Sequence, residues 1–217
     1  PNKKFSIRML EDSRNFYDQK ILGSWNPKEK FSEREVLIVG SGKSVLEHKS
    51  AIEQFIIKNK PLVLVLNSKQ IIDEELIDFR IACHPLRVFS DASKYSDLGS
   101  DLIIPSSILN RTGIKFPGNF KTYDYGFSVQ KNKFHFEDNV GISPSPSVIS
   151  YALLVCSSGR ANNIMLAGID GYSHGDSRNY ELELLFDLYH NNELTPKISS
   201  ITNTRFNLDI NSVYNHI

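Results

Sequence analysis

Cysteine is scarce in this chain: two in 217 residues, Cys83 and Cys156. They stand far apart and fit no metal-ligand spacing. A disulfide scaffold and a cysteine-based zinc site are set aside, and a pair of reduced thiols in a cytoplasmic protein is expected. An excess of one charge is lacking too. Lys plus Arg and Asp plus Glu number 25 each, so the formal net charge is zero. With no long basic run, the composition argues against nucleic acid as a partner. No apolar stretch approaches the roughly 18 residues of a membrane span, and the opening residues have no secretory-leader pattern. The chain begins at Pro1 rather than methionine, so we expect a piece of a longer protein or a processed product. What is present is globular in kind. The chain is 40% hydrophobic and 23% charged, in a length that suits one substantial α/β domain or two small ones.

Residues 1–35 read as an N-terminal helix and linker. Phe5, Ile7, Leu10, Phe16, Tyr17, Ile21 and Leu22 outline an irregular amphipathic helix, and the following "GSWNPKEKFSE" is a turn-rich connector. Residues 36–217 read as a Rossmann-like nucleotide-binding domain. Buried strands are expected at 36–39, 62–66, 80–83, 102–104 and 163–167, and helices at 44–59, 73–78, 147–159 and 177–191. A hairpin turning at Lys131-Asn132 is expected over 127–136. Short apolar runs alternating with helices predict an α/β fold: an open, mainly parallel, doubly wound sheet with helices on both faces. Neither internal repeats nor low-complexity tracts occur.

That architecture locates a site before any motif does, because ligands of open α/β sheets sit beyond the carboxyl ends of the strands. The first such position is "VLIVGSGKSV". Gly42-Lys43-Ser44 resembles the end of a phosphate-binding loop, but the first glycine of that loop would fall at Leu37, inside the strand. The dinucleotide fingerprint requires a third glycine where Val45 stands. What survives is a tight turn of Gly40, Ser41 and Gly42 leading into a helix, suited to an anion. Ser44 either takes part in that site or merely caps its helix in a capping box with Glu47. Asn67 follows the second strand. In "GISPSPSVISYALL", Ser145 is the expected N-cap with Pro146 at the first helical position. This serine-rich start is either an ordinary cap or a donor set for phosphate, sugar or carboxylate. In "IMLAGIDGYSHGD", Asp170 follows a strand between glycines, as an acceptor for sugar hydroxyls, a base, or a loop cap. Tyr172, His174 and Tyr180 lie close by, and His174 is a candidate base or a solvated surface residue. His84 and Arg87 follow another strand, Arg87 being free either to meet a phosphate or carboxylate or to form a surface ion pair. His48 and His190 are expected to be structural. "SSITNTRFN", around Arg205, is placed to close over the site.

Taken together, "VLIVGSGKSV", "VLVLNS", "FRIACHPLR", "SVISYALLVCSSGRANNIMLAGIDGY" and "SSITNTRFN…SVY" resemble the C-terminal domain of bacterial 4-hydroxy-2-oxovalerate aldolase-like proteins. In those, a metal-dependent barrel of the HMG-CoA-lyase type precedes such a domain, and the set belongs with surface-polysaccharide genes. The barrel's metal motif and His-x-His pair do not occur here, so the resemblance implies a fragment without aldolase machinery, metal or cofactor of its own. More distantly, the pieces are similar to the bacterial sialyltransferase fold that uses CMP-sialic acid, and to pterin-pyrophosphokinase-type families. That resemblance implies a pocket for CMP or a nucleotide-sugar lined by Gly40, Ser41, Gly42, Ser44, Asn67, Ser143, Ser145, Gly168, Asp170 and Tyr172. Lys43 departs from that family's proline, and its catalytic histidine has no clear match, His174 and His190 being the candidates. Three functions compete. One is a nucleotide or nucleotide-sugar binding domain, with Asp170 or His174 as base if it transfers a glycosyl group. Another is an inert regulatory or assembly domain for the aldolase barrel, as a homodimer. The third is an ATP- and Mg²⁺-dependent pyrophosphokinase-like enzyme with Asp170 and Asp176 near the metal.

Overall fold

The computed structural model describes residues 22–106 and 121–217. The expected amphipathic helix before Leu22 lies outside the described residues. At the centre is an eight-stranded sheet, all of whose neighbouring strands run parallel. The strands in chain order are β1 (Glu35–Val39), β2 (Leu62–Leu66), β3 (Phe79–Ile81), β4 (Asp101–Ile104), β5 (Thr122–Asp124), β9 (Asn163–Ala167), β10 (Lys197–Ser200) and β11 (Asp209–Ile210). Between β5 and β9 come β6 (Gly126–Val129), β7 (His135–Glu137) and β8 (Val140–Ser143), which make a separate three-stranded sheet. The large sheet is ordered β11-β10-β9-β1-β2-β3-β4-β5. From β1 the chain moves outward on one side through β5, then returns to pair β9 with β1 on the other. The crevice between β1 and β9 is therefore the topological switch point, where open α/β sheets hold ligands.

Alternation along the strands covers both faces. Val36 and Ile38, Leu62 and Leu64, and Ile164 and Leu166 point into one core. Leu37 and Val39, Val63 and Val65, and Met165 and Ala167 point into the other. A strand buried on both sides reads as an unbroken apolar run, which is how "VLIV" and "LVLVL" look. The helices are α1 (Lys28–Phe31), α2 (Lys43–Glu47), α3 (Lys49–Asn59), α4 (Pro85–Asp97), α5 (Val148–Ser158) and α6 (Ser177–His190). The first core takes α5 and α6 through residues such as Leu153, Leu154, Leu185 and Phe186. The second takes α3 through Ile52, Phe55 and Ile56. The open parallel sheet with helices on both faces is as the sequence implied. Among the described residues no helix is long and apolar enough to cross a membrane.

Several local expectations are corrected. The single helix at 44–59 is two, broken at His48, whose φ of −114° and ψ of 19° leave the helical region. The arms of the expected hairpin do not pair with each other. The turn at Lys131-Asn132 forms, with Lys133 N–H donating to the Gln130 carbonyl at 3.1 Å, but β8 lies between the arms. It runs parallel to β6 and antiparallel to β7. All four β8 residues are buried, as the central position of the strand requires. The helix expected at 73–78 is one 3₁₀ turn, Glu74–Leu76. Helix α4 was not foreseen at all. In the connector, Trp25 and Phe31 are buried. Trp25 meets Tyr123 with ring centroids 4.8 Å apart, and Phe31 stacks on Phe79 at 5.9 Å.

Candidate functional site

A cavity of about 860 Å³ opens at the carboxyl ends of β1, β2, β3 and β9. One wall is backbone. The turn after β1 lies against the loop after β9, Gly40 N–H donating to the Ala167 carbonyl at 2.8 Å and Gly42 N–H to the Gly168 carbonyl at 2.9 Å. The two turns touch so closely that side chains cannot fit between them. A Cβ on Gly42 would sit 2.5 Å from the Asp170 carboxyl carbon and 2.6 Å from the Gly168 carbonyl oxygen. Gly168 has φ of +70°, and a Cβ there would lie 2.3 Å from Val45 Cγ2. These glycines are needed for the two loops to meet, independently of any ligand.

Ser44 and Asp170 fasten that meeting. Ser44 N–H donates to Asp170 Oδ2 at 2.9 Å, and the Ser44 hydroxyl donates to Oδ1. The capping box does not form. Gly42 holds the N-cap position, Ser44 sits inside α2, and Glu47 pairs with Lys43 at 2.9 Å instead of reaching back. Asp170 thus caps α2 from across the crevice. It lines the cavity; Ser44, buried beneath it, does not. The C-terminal segment does not close over the site. It braces the same loop from behind: Thr202 Oγ1 accepts from Gly168 N–H at 3.0 Å, Thr204 Oγ1 donates to the Ile169 carbonyl at 2.7 Å, and Arg205 N–H donates to the Asp170 carbonyl at 3.2 Å.

The opposite wall is made of side chains and of two helix starts. His84 and Arg87 come from the beginning of α4, and Pro146, Ser147 and Ile149 from the beginning of α5. Helix α4 follows β3 and α5 follows β8, so each helix begins where a strand ends. Partial burial, with the Arg87 charge adding to it, lowers the His84 pKa below the ordinary histidine value. Arg178, from the first turn of α6, lies 3.8 Å over the Tyr172 ring and donates to both oxygens of Asp176, at 2.9 and 2.6 Å. Those hydrogen bonds hold the Asp176 carboxyl at about 2. Buried Asn179 fixes the Tyr172 backbone, accepting from its N–H at 2.8 Å and donating to its carbonyl at 3.2 Å.

Of the residues singled out in the sequence, Gly40, Ser41, Gly42, Asn67, Gly168, Asp170 and Tyr172 line this one cavity. Ser143 and Ser145 do not. Both are buried beneath the start of α5, Ser143 Oγ donating to the Ser145 carbonyl at 2.6 Å and also bonding the Ser150 hydroxyl. The helix cap is Ser147, whose hydroxyl accepts from Ser150 N–H at 3.3 Å. The expected Ser145 cap is two residues early because Pro146 precedes the helix instead of opening it. His174 is exposed and outside the cavity lining. Sequence reasoning missed Ser147, Arg178 and Glu181. Pro85 was a usable signal for α4, standing at its first position; Arg178 was passed over although its neighbours Asp176 and Tyr180 had been singled out.

No family model and no curated protein matches this chain. Among solved structures its fold is similar to one described as "Structure of MAf glycosyltransferase from Magnetospirillum magneticum AMB-1", with a TM-score of 0.62 over 94% of this chain at 12% identity. The chain spans 37% of the length of that protein. The likeness is one of fold: the Rossmann-like architecture of a part of a glycosyltransferase.

Proposed function

We propose that this domain binds a nucleotide-sugar in the switch-point crevice. The observation that carries the proposal is the convergence of seven residues from three strand ends on one cavity that Arg87 and Arg178 also line. A volume of about 860 Å³ suits a ligand of that size, pockets for small molecules running to roughly 300–1,000 Å³. The amides of Ser41 and Lys43 make no hydrogen bond within the described residues, so the turn after β1 has donors to offer a phosphate. The start of α5, where Ser147 caps and Val148 and Ile149 line the wall, offers more. The fold neighbour is described as a glycosyltransferase, which favours a sugar nucleotide over ATP.

Calorimetric titration of the chain with CMP, a CMP-sugar, a UDP-sugar and ATP, each with and without Mg²⁺, tests the proposal. Binding of CMP or a sugar nucleotide without Mg²⁺ is expected. Binding of ATP alone, and only with Mg²⁺, would replace this reading with the pyrophosphokinase one. Silence with every nucleotide would leave the domain to assembly or regulation.

A further inference from the structure

Among the described residues, Arg80 is the largest side chain with essentially no exposure. It sits in the middle of β3, where the sequence reads simply "FRIAC" and gives no hint of a role. Its guanidinium faces the connection between β2 and β3. Nε donates to Glu74 Oε1 at 3.1 Å, and Nη2 donates to the other carboxylate oxygen. Nη1 donates to two backbone carbonyls, Asn67 at 3.0 Å and Lys69 at 3.2 Å. Glu74 Oε1 also accepts from the buried Ser100 hydroxyl at 2.8 Å. A fully buried guanidinium is costly unless its donors are met, and here four donations from three nitrogens meet them.

The carbonyl at 3.0 Å belongs to Asn67, the polar residue at the exit of β2 that lines the cavity. Asn67 has φ of +61°, a left-handed conformation that asparagine tolerates better than most residues but does not prefer. Its backbone is held at both ends. Its N–H donates to the Ile81 carbonyl at 2.8 Å, and its carbonyl accepts from Arg80. The next residue is anchored as well, the Ser68 hydroxyl donating to Asp91 of α4 at 2.7 Å. Asn67 lines the cavity, and its carboxamide makes no hydrogen bond within the described residues. Backbone fixed on every side and carboxamide left open is the arrangement of a group prepared for a ligand.

We infer that Arg80, clamped by Glu74, is a positioning residue that holds Asn67 in its left-handed conformation so that its carboxamide faces the ligand. The inference rests on the nucleotide-sugar reading for the identity of that ligand, but the positioning itself can be measured without one. The test uses the whole 217-residue chain and the double variant Arg80→Met/Glu74→Met. Removing one partner alone would strand a charge, whereas replacing both with apolar side chains of similar volume leaves a foldable interior. Two quantities are read: hydrogen exchange of the Asn67 amide, with the Leu64 amide of β2 as internal reference, and affinity for whichever nucleotide binds the wild type.

The double variant is expected to speed exchange at Asn67 by about tenfold or more while Leu64 stays protected. It should weaken nucleotide binding by about tenfold, as Asn67→Ala should, and the triple variant should be no weaker than either, because both changes remove one contact. Arg80→Lys keeps the charge without the fork and should fall between. Unchanged exchange at Asn67 overturns the inference. So does wild-type affinity in the double variant, or losses that add in the triple variant. If the wild type binds none of the nucleotides yet Asn67 alone loses protection in the double variant, the nucleotide reading falls and the role of Arg80 stands.

Discussion

The two walls of the crevice are built by opposite means. The wall at β1 and β9 is made by leaving side chains out: Gly40, Gly42 and Gly168 let two turns approach to hydrogen-bonding distance, and Asp170 and Ser44 lock them. The wall at α4 and α5 is made by projecting side chains in, with His84, Arg87 and Ser147 standing on helix starts. The first wall is rigid by packing. A change there has to disturb two loops at once, so stability and binding fall together. The charged and titratable side chains of the second wall, Arg87 and His84, stand outside the core, so they can be altered with the framework intact. Substitutions on the two walls should therefore leave different signatures.

The largest effect is expected at Gly42→Val. Contacts of 2.5 and 2.6 Å already face a single added Cβ, one of them with backbone oxygen that cannot rotate away. Forcing the loops apart should cost roughly 1–3 kcal/mol, the usual range for overpacking, and lower the midpoint of thermal unfolding by about 2–4 °C for each of those. Nucleotide binding should fall by on the order of a hundredfold or more, since the phosphate-facing turn is displaced as well. Loss of binding at an unchanged melting temperature would show that the two loops are less tightly joined than the geometry implies.

The Ser44–Asp170 link comes next. Ser44→Ala removes a hydroxyl donor to a carboxylate, a hydrogen bond of the kind worth about 1.5–3 kcal/mol. Asp170→Asn keeps an acceptor for Ser44 N–H but loses the charge. If Asp170 serves only to brace, the two variants should be destabilised alike and should lose nucleotide affinity alike, in parallel thermal melts and titrations. Turnover of a sugar nucleotide abolished by Asp170→Asn and spared by Ser44→Ala would assign proton chemistry to Asp170 and break the picture of a purely structural wall.

The same contrast explains what could be read from the residues. The glycine wall was legible because a tight turn after an apolar strand is a local event, written in "VGSG" and "AGIDG". Its locking was not. The capping box assigned to Ser44 is a rule about neighbours, whereas its true partner lies 126 positions away and is brought near only because β9 returns beside β1. Helix α4 escaped because its inward positions, Val88, Ala92 and Tyr95, are spaced as in a helix but separated by a phenylalanine, serines, a lysine and an aspartate. The cap at Ser147 was misplaced because a serine before a proline looks equally good two residues earlier. Strands β10 and β11, polar and short, carry no apolar run to betray them and exist by pairing with an already formed sheet. Asn67 was legible by position alone; the arginine that holds it was not, since a charged residue inside a strand announces nothing about which carbonyl it will reach.

On the side-chain wall, Arg87→Ala should leave the melting temperature within about 1 °C, because the residue is exposed and forms no ion pair within the described residues, and exposed charges contribute little to stability. Affinity for a nucleotide phosphate should fall by about tenfold and should become less sensitive to added salt. A fall in stability equal to that of Ser44→Ala would erase the distinction between the walls.

The smallest effect is the most diagnostic of how this wall is charged. Two causes lower the His84 pKa, burial first and the Arg87 guanidinium second. Folding therefore favours the neutral imidazole. The unfolded chain takes up the proton at the higher, ordinary value of about 6.5, so the contribution of His84 to stability is present above that pH and is lost as the pH falls through the folded-state value. At neutral pH His84 is an uncharged acceptor or donor beside a cationic neighbour. Removing Arg87 leaves burial acting alone, so the titration midpoint of the His84 ring proton, followed by NMR, should move up partway toward the ordinary value. A bound phosphate should move it up further in the wild type, because a negative charge beside the ring favours the imidazolium. If the midpoint stays fixed in Arg87→Ala, the guanidinium and the imidazole do not share the same space, and the wall opposite the glycines holds separate side chains rather than one cationic surface.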